Sequence, residues 1–385
     1  MTGALSWRVP ALVACPLLGC GHQVEDEHRG DSATFAECSP DLGFTEPLPP
    51  CTPASPCMAT SDGIAIESPS ASAVCRTSSS SHPEHDDGAA FTQVDADGVT
   101  RSWCQFTPGG DGPWPLVLWF HGAGGAAGDV YDYTSVREKA ASVALGDVPG
   151  FVLVSIQGRN LHWPTVDARD GSHHDIYHRA VGAPSGNADV ALADEIVDNL
   201  VSSGTVDPQR IYAMGWSNGG FFAQLYAIAR RETPSAGGNR VAAAAVFSAA
   251  DPFDDARLDA DPSCQLDPYP RSSVPIFVVG RACDLVACDE PQADGLRDDG
   301  YALPPGAVVS TWLDDLKSKV GASPERRIVD FGGDEVDECT AAAWCGLAAA
   351  TVNHVMWPDG VSDGSGNDHE ADMLDFLGRY EVSGD

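Results

Sequence analysis

The stretch RIYAMGWSNGGFFAQLYAIAR, residues 210–230, changes character twice. It begins as an apolar run typical of a buried strand and ends in residues that form helices readily. The two parts meet in Gly-Trp-Ser-Asn-Gly-Gly, residues 215–220, where glycines lie on both sides of Ser217. A simple turn from a strand to a helix needs one glycine, so the others indicate a turn where backbones crowd around the serine.

Apolar strands and amphipathic helices alternate on both sides of this stretch. A hairpin is predicted at residues 90–106, around an Asp-Gly turn. Strands are predicted at 114–120, 151–157, 210–216, 241–248, 274–280 and 347–352, and helices at 133–145, 189–203, 220–230, 308–320 and 370–380. Such alternation predicts an α/β fold, with a mainly parallel central sheet and helices on both faces.

Residues 215–219, Gly-Trp-Ser-Asn-Gly, match the G-x-S-x-G nucleophile elbow. In this motif a tight, strained turn projects the serine hydroxyl above the end of a strand, at the N-terminus of the next helix. Free N–H groups and the helix dipole there stabilise developing negative charge. Because a buried strand precedes the motif and a helix follows it, we predict Ser217 to be a catalytic nucleophile.

A second glycine-rich segment, His-Gly-Ala-Gly-Gly at residues 121–125, follows the predicted strand 114–120. Loops of small residues at this point present backbone N–H groups to a substrate oxyanion. We predict the N–H groups of Ala123 and Asn218 as the two donors. His121 is expected to orient the loop rather than to act as a base.

A serine nucleophile requires a base and an acid from later in the chain. Asp284 lies just beyond the predicted strand 274–280, and Asp289 is the alternative acid. His354 follows the predicted strand 347–352, and His369, before the last helix, is the alternative base. Proximity to a strand end favours Asp284 and His354, with the carboxylate orienting the imidazole and stabilising its protonated form.

The N-terminus is typical of an export signal. Arg8 precedes a short apolar run, residues 9–18, which is too short to span a bilayer. The run ends in Leu-Leu-Gly-Cys, which resembles the lipobox of bacterial lipoproteins; this implies cleavage before Cys20 and acylation of its thiol. An ordinary secretory signal is the alternative. We predict a signal peptide at residues 1–19, a tether rich in proline, serine and acidic residues at 20–88, and a catalytic domain at 89–385. The protein is expected to be lipid-anchored at the cell envelope or secreted.

Export changes how the cysteines are interpreted. Of the 12 cysteines, Cys15 would leave with the signal and Cys20 would carry lipid, so ten remain. In an oxidising compartment these predict up to five disulfides. The spacings at 283–288 and 339–345 are compatible with local pairs, and the tether cysteines could pair locally or with the body.

The net charge of the protein limits the partners that it can bind. The sequence has 22 Lys+Arg against 56 Asp+Glu, a formal net charge of −34. This surface repels nucleic acid and anionic membranes, so we expect no nucleic-acid partner and membrane contact only through the lipid anchor.

Three segments carry a resemblance to a known family. VDPQRIYAMGWSNGG at 206–220 is similar to the Asp-Pro-x-Arg-[Val/Ile]-Tyr-x-x-Gly-x-Ser-Asn-Gly-Gly signature of secreted polyhydroxybutyrate depolymerase and feruloyl esterase-type α/β-hydrolases. PLVLWFHGAGG at 115–125 and HVMWP at 354–358 support the resemblance, which covers residues 91–380. It implies an α/β-hydrolase fold, a triad of Ser217, Asp284 and His354, and hydroxyalkanoate or hydroxycinnamoyl esters as substrates, without a metal or organic cofactor. Two positions depart from the family: Gly-Arg-Ala-Cys-Asp replaces its His-Gly-Thr-x-Asp, and one extra residue precedes Trp357.

The sequence leaves open the environment of three tryptophans and two alternative functions. Trp216, Trp357 and Trp163 are expected either to line an acyl or aromatic pocket or to pack in the core or at its rim. The same triad also cleaves amides, so a serine peptidase is the alternative enzyme. A surface-binding lipoprotein without catalysis is the third possibility.

Overall fold

Strands and helices alternate along the described chain. The computed structural model describes residues 75–77, 79–83, 88–96, 98–159, 172–176, 186–232, 238, 240–253, 269–282, 284, 309–330, 332–336 and 354–383. Its strands are β1 Ala89–Val94, β2 Thr100–Phe106, β3 Trp114–Phe120, β4 Ala144–Leu145, β5 Val148–Pro149, β6 Val152–Ile156, β7 Val206–Trp216, β8 Val241–Phe247, β9 Pro275–Arg281, β10 Ser323–Val329 and β11 Glu335–Val336. Its helices are α1 Asp129–Asp132, α2 Val136–Ala140, α3 Ala188–Ser202, α4 Asn218–Ala229, α5 Val309–Asp315 and α6 His369–Leu377, and a π-helical turn, Leu316–Val320, continues α5.

Within these described residues, nine strands form one sheet in the order β1-β2-β6-β3-β7-β8-β9-β10-β11. The six strands from β6 to β10 in this order run parallel. β1 and β2 at one edge and β11 at the other pair antiparallel. This confirms the predicted, mainly parallel sheet, and the arrangement is that of the α/β-hydrolase fold. No helix among the described residues has both the length and the apolar character needed to cross a membrane.

The sheet separates two apolar layers. Along β3, Leu116, Leu118 and Phe120 belong to the layer that includes α3, α4 and α5, whereas Val117 and Trp119 belong to the layer that includes α2 and α6. Alternate residues of a strand point to opposite faces, so a continuous apolar run such as β3 requires cover on both sides. Helices therefore lie on both faces, as predicted.

The structure contains five elements that the sequence did not predict: α1, β4, β5, β10 and β11. One predicted helix is shorter than expected, and one predicted strand cannot be compared. The helix predicted at 133–145 covers only Val136–Ala140, and the chain then continues into the β4–β5 hairpin, where Gly146 adopts a φ of 66° in the turn. β10, Ser-Pro-Glu-Arg-Arg-Ile-Val, was not predicted because three consecutive charged residues lie at its centre; its parallel backbone pairing with β9 makes it a strand. The strand predicted at 347–352 lies outside the described residues.

The end of the predicted tether contacts the body of the protein. Cys75 forms a disulfide with Cys104 on β2, with an S–S distance of 2.08 Å. The Thr77 hydroxyl donates to the Asp132 carboxylate at 3.1 Å, and the amide of Ser79 donates to the same oxygen at 3.0 Å. This part of the segment is therefore tied to the sheet. The signal segment, Cys20 and the other cysteines lie outside the described residues.

Candidate active site

Ser217 stands at the turn between β7 and α4. Its backbone has φ 52° and ψ −124°, a conformation that costs a non-glycine residue about 1–3 kcal/mol. A Cβ atom on Gly215 would lie 2.3 Å from the carbonyl oxygen of Gly219, and one on Gly219 would lie 2.1 Å from that of Phe120. Both contacts are too short for any side chain, which explains the two glycines beside the serine.

Three of the predicted side chains lie within hydrogen-bond distance of one another. The Oγ of Ser217 is 2.7 Å from Nε2 of His354, and Nδ1 of His354 is 2.9 Å from Oδ1 of Asp284. The Asp284 side chain is fully buried just beyond β9, whereas the His354 ring is 15% exposed. This geometry allows the imidazole to accept the serine proton while the carboxylate faces the opposite ring nitrogen.

A fourth side chain, Ser248, joins this set and was not predicted. It follows β8 directly and is fully buried. Its Oγ lies 2.6 Å from Nδ1 of His354 and donates a hydrogen bond to Oδ2 of Asp284. In the sequence, the feature that could have indicated Ser248 is its position directly after an apolar strand, but a serine in that position belongs to no recognised motif.

His121 holds the glycine-rich loop after β3. Its Nδ1 is 2.8 Å from the carbonyl oxygen of Gly122, and its Nε2 is 3.1 Å from the amide nitrogen of Gly158. A carbonyl accepts and an amide N–H donates, so Nδ1 carries the proton and the ring is neutral. The amides of Gly124 and Gly125 donate to Ser172 and Gly122, respectively, and are not available to a substrate. The predicted donors, Ala123 and Asn218, come from this loop and from the start of α4.

The side chain of Asn218 connects the elbow to a neighbouring loop. Its Oδ1 accepts from the amide of His174 at 2.7 Å, and its Nδ2 donates to the carbonyl of the same residue at 3.1 Å. The His174 ring packs against Phe120 and Phe222, with centroids 5.2 and 5.1 Å away. Burial lowers the pKa of His174 well below its usual value, so the ring is neutral. Two hydrogen bonds to the backbone of His174 therefore hold the side chain of Asn218, the residue after Ser217.

The predicted tryptophans have different environments. Trp216 is half-buried, and its Nε1 donates to the backbone carbonyl of His354 at 2.8 Å. Trp357 is fully buried, with its ring 6.2 Å from those of Trp119 and Trp216 and its Nε1 donating to Glu370 at 2.5 Å. The prediction that Trp357 lines a substrate pocket is therefore corrected: this ring packs beneath the site. Trp163 lies outside the described residues.

The alternative base, His369, forms its hydrogen bonds with residues other than Ser217. His369 begins α6, where its Nε2 is 2.7 Å from the carbonyl of Gly333 and its Nδ1 is 3.3 Å from the carboxylate of Asp372. His354, not His369, contacts Ser217. The alternative acid, Asp289, lies outside the described residues.

Known proteins offer a short sequence match and weak structural likenesses. No protein-family model matches the sequence. Over 114 residues, 28% of this chain, the sequence is 32% identical to a protein of Nocardia uniformis subsp. tsuyamanensis named "Putative esterase NocK", and this match spans only 27% of that relative. A Pyrobaculum calidifontis esterase is similar over 77% of this chain and 86% of its own, with 17% identity and a TM-score of 0.40. A bacterial heroin esterase is similar over 76% of this chain and 83% of its own, with 19% identity and a TM-score of 0.41. The order of the strands in the sheet and the turn at Ser217 are those of the α/β-hydrolase fold.

Asp129 places a titratable carboxyl group beside the glycine-rich loop. Its Oδ2 accepts from the amide of Ala126 at 3.0 Å. Burial raises the pKa of Asp129 to about 6, and the nearby Asp132 carboxylate adds to this rise against the hydrogen bond from Ala126. The charge next to the loop therefore changes near pH 6.

Glu370 is a second carboxyl group with a raised pKa, and it lies beneath the site. It is fully buried, accepts from the amide of Ser135 at 3.0 Å and lies 2.9 Å from the ammonium of Lys139. Burial raises the pKa of Glu370 to about 7, although Lys139 and the Trp357 hydrogen bond act in the opposite direction. Within the described part of the chain, no group of three His, Cys, Asp or Glu side chains is arranged to hold a metal ion.

Proposed function

We propose that the protein is a serine carboxylic-ester hydrolase that works through an acyl-enzyme. Ser217 is the nucleophile, His354 the base and Asp284 the residue that orients the base. The observation that carries this proposal is the 2.7 Å contact between Ser217 Oγ and His354 Nε2, made by a serine with a strained backbone at the end of a buried parallel strand. Backbone strain of this kind persists only where the surrounding structure imposes it, and it is concentrated at active sites.

The reaction would follow from this geometry. As the Ser217 oxygen attacks the ester carbonyl, its proton passes to Nε2 of His354, and the Asp284 carboxylate stabilises the imidazolium. The N–H groups of Ala123 and Asn218 receive the oxyanion, aided by the N-terminus of α4. His354 returns the proton to the leaving alkoxide. A water molecule then gives a proton to His354 and attacks the acyl carbonyl; the Ser217 oxygen leaves and takes that proton back, which releases the acid.

The proposed substrates are hydroxyalkanoate esters, as in polyhydroxybutyrate, or feruloyl and other hydroxycinnamoyl esters. The resemblance of residues 206–220 to esterases of that type supports this class. A half-buried Trp216 beside the nucleophile also supports it, because its ring is 6.4 Å from that of Tyr133, which is 48% exposed. Two aromatic rings open to solvent suit an apolar or aromatic acyl group.

We further propose that the protein is exported and anchored by lipid on Cys20, or else secreted. The disulfide between Cys75 and Cys104 supports an oxidising compartment. Labelling of a bacterial expression host with radioactive palmitate should mark the wild-type protein but not a Cys20→Ser variant. Equal labelling of both would exclude the anchor.

The catalytic proposal is tested by hydrolysis of p-nitrophenyl esters from butyrate to laurate. Ser217→Ala and His354→Ala should each lose at least about 10³-fold in kcat, since each removes a member of the catalytic unit. His369→Ala is the matched histidine control and should retain activity. A wild-type enzyme that hydrolyses none of these esters and takes up no fluorophosphonate would refute the proposal.

A second panel separates substrate classes. Methyl ferulate, hydroxybutyrate oligomers and peptide p-nitroanilides present an aromatic ester, an aliphatic polyester and an amide. Preference for either ester over the anilides is expected. Faster turnover of the anilides would make the protein a peptidase with the same catalytic residues.

A further inference from the structure

Ser248 has a backbone that a buried serine rarely adopts. Its φ is 56°, and within the described residues Ser217 is the other non-glycine residue with a positive φ. Its amide donates to the carbonyl of Val279 at 2.9 Å, which connects the end of β8 to β9. Left-handed backbone in a residue other than glycine is costly and persists where the surrounding structure requires it. Here the turn brings the hydroxyl toward the candidate active site.

The hydroxyl of Ser248 contacts both His354 and Asp284. It has one proton, and the carboxylate of Asp284 can only accept, so the hydroxyl donates to Oδ2 of Asp284. An oxygen lone pair then faces Nδ1 of His354 at 2.6 Å. Nδ1 also faces Oδ1 of Asp284 at 2.9 Å, so the hydrogen on Nδ1 has two acceptors.

These contacts fix the tautomer of the imidazole. With the proton on Nδ1, the lone pair of His354 is on Nε2, 2.7 Å from the Ser217 hydroxyl. This is the form that accepts the proton of the nucleophile. Both oxygens of the Asp284 carboxylate are also engaged, one by His354 and one by Ser248, which limits rotation of the carboxylate.

We propose that Ser248 is a positioning residue that holds the base and the acid together in their reactive arrangement, an inference that rests on the proposed esterase function. When Ser217 gives its proton to Nε2, the Nδ1–H bond remains intact. The Nδ1–H group of the imidazolium then donates to both the Asp284 carboxylate and the Ser248 oxygen. Ser248 itself gains and loses no proton in the reaction. Its hydrogen bonds to the charged pair are of the stronger, charge-assisted kind.

The main test uses two variants with opposite backbone properties. Ser248→Gly removes the hydroxyl and accommodates a positive φ, whereas Ser248→Ala removes the hydroxyl and keeps the strain. Both should lower kcat for p-nitrophenyl butyrate by about ten- to a hundredfold, the effect of one charge-assisted hydrogen bond, with KM little changed. Ser155→Ala, which alters a fully buried serine of β6, should retain activity.

A spectroscopic readout separates positioning from a general loss of structure. In enzyme labelled with 15N-histidine, the resonances of His354, assigned by their absence from His354→Ala, should identify the Nδ1–H tautomer. The downfield Nδ1 proton should move upfield in Ser248→Gly while the melting temperature of that variant stays close to wild type. The same proton is measured in Ser248→Ala, so the test does not depend on the folding of a single variant.

The outcomes distinguish this inference from the proposed function. An inert wild type without fluorophosphonate labelling refutes the esterase function itself. If the wild type is active and Ser248→Gly retains its kcat and its Nδ1 resonance, the role of Ser248 alone is refuted. An Nε2–H tautomer in the wild type also overturns it.

Discussion

At position 219 the chain has room for a hydrogen atom and for nothing larger. The Cβ of an alanine there would lie 2.1 Å from the carbonyl oxygen of Phe120 and 2.4 Å from that of His121. Both obstacles are backbone at the end of β3, so they cannot move as a flexible side chain would. The tight packing of α4 against β3 therefore depends on this glycine.

Gly219→Ala should destabilise the fold by on the order of 3 kcal/mol, because the backbone must shift to relieve the contact. Gly109→Ala is the matched control, since a Cβ there would meet nothing within 4 Å, and its effect should stay within about 0.5 kcal/mol. Urea unfolding of both variants measures the difference. Equal stability of the two would contradict the crowding at the elbow.

Asn218→Ala tests the two hydrogen bonds that hold the residue after Ser217. The change leaves the backbone N–H, the proposed oxyanion donor, in place but removes both hydrogen bonds to His174, so this N–H is less well oriented. We expect kcat for p-nitrophenyl esters to fall about ten- to a hundredfold, because small displacements in an active site are costly. Asn199→Ala, at an exposed asparagine of α3, should be neutral. An unchanged kcat in Asn218→Ala would show that the backbone alone fixes the donor.

Local sequence patterns predict some residues of the candidate active site but not those whose position depends on contacts between distant parts of the chain. Ser217, Asp284 and His354 could be selected because each was expected at the end of a strand, and parallel strands bring such ends to one edge. Their proximity is now seen, whereas their catalytic roles remain predictions. Ser248 has the same kind of position without a motif. The burial of Trp357 depends on contacts with rings such as Trp119 from distant parts of the chain, which no local pattern specifies.

The same limit applies to whole elements. Strands such as β3 and β8 are apolar throughout because both of their faces are covered, and their sequences predict them well. β10 has a charged sequence and becomes a strand through backbone pairing with β9, a long-range contact. The helix at 133–145 was predicted too long because its apolar spacing continues past Ala140, where the chain turns into the β4–β5 hairpin.

Helix α6 carries a pH-dependent contribution to stability. Glu370 has a pKa of about 7 in the folded protein, above the ordinary value of 4.5 that it would regain on unfolding. The folded state therefore binds the proton more tightly than the unfolded state between these values. The resulting stabilisation is fully present below about pH 4.5 and is lost as the pH rises through about 7, a change on the order of 3 kcal/mol.

Glu370→Gln should remove this part of the pH dependence while keeping an acceptor for Trp357. Urea unfolding of wild type and variant between pH 4.5 and 8 measures the two slopes, and the wild-type curve should fall more steeply. Asp375→Asn, an exposed carboxylate on the same helix, is the control with the same change of charge. Parallel curves for wild type and Glu370→Gln would show that the buried carboxyl does not titrate in this range.

At the scale of the molecule, the disulfide between Cys75 and Cys104 joins the segment before the sheet to its second strand. It closes a loop with a sequence separation of 29 residues. A cross-link of this length restricts the unfolded chain and should contribute about 3–4 kcal/mol. Loss of that amount is expected in the double variant Cys75→Ser/Cys104→Ser, measured by urea unfolding.

Single variants provide the control for this prediction. Cys75→Ser and Cys104→Ser should each lose nearly as much stability as the double variant, because either change breaks the same bond. Losses that simply add would indicate that the two thiols act independently. That result would contradict the pairing.

The distance along the chain between Ser217 and His354 has a consequence for how the protein is made. They touch in the folded molecule but are separated by 137 residues in sequence. At translation rates of roughly 5–20 residues per second, a ribosome adds that length in on the order of ten seconds. During this interval the growing polypeptide contains the elbow serine and lacks its histidine. Under the proposed mechanism, a nascent or prematurely terminated product has the serine without its base, so we expect esterase activity only after synthesis has passed residue 354.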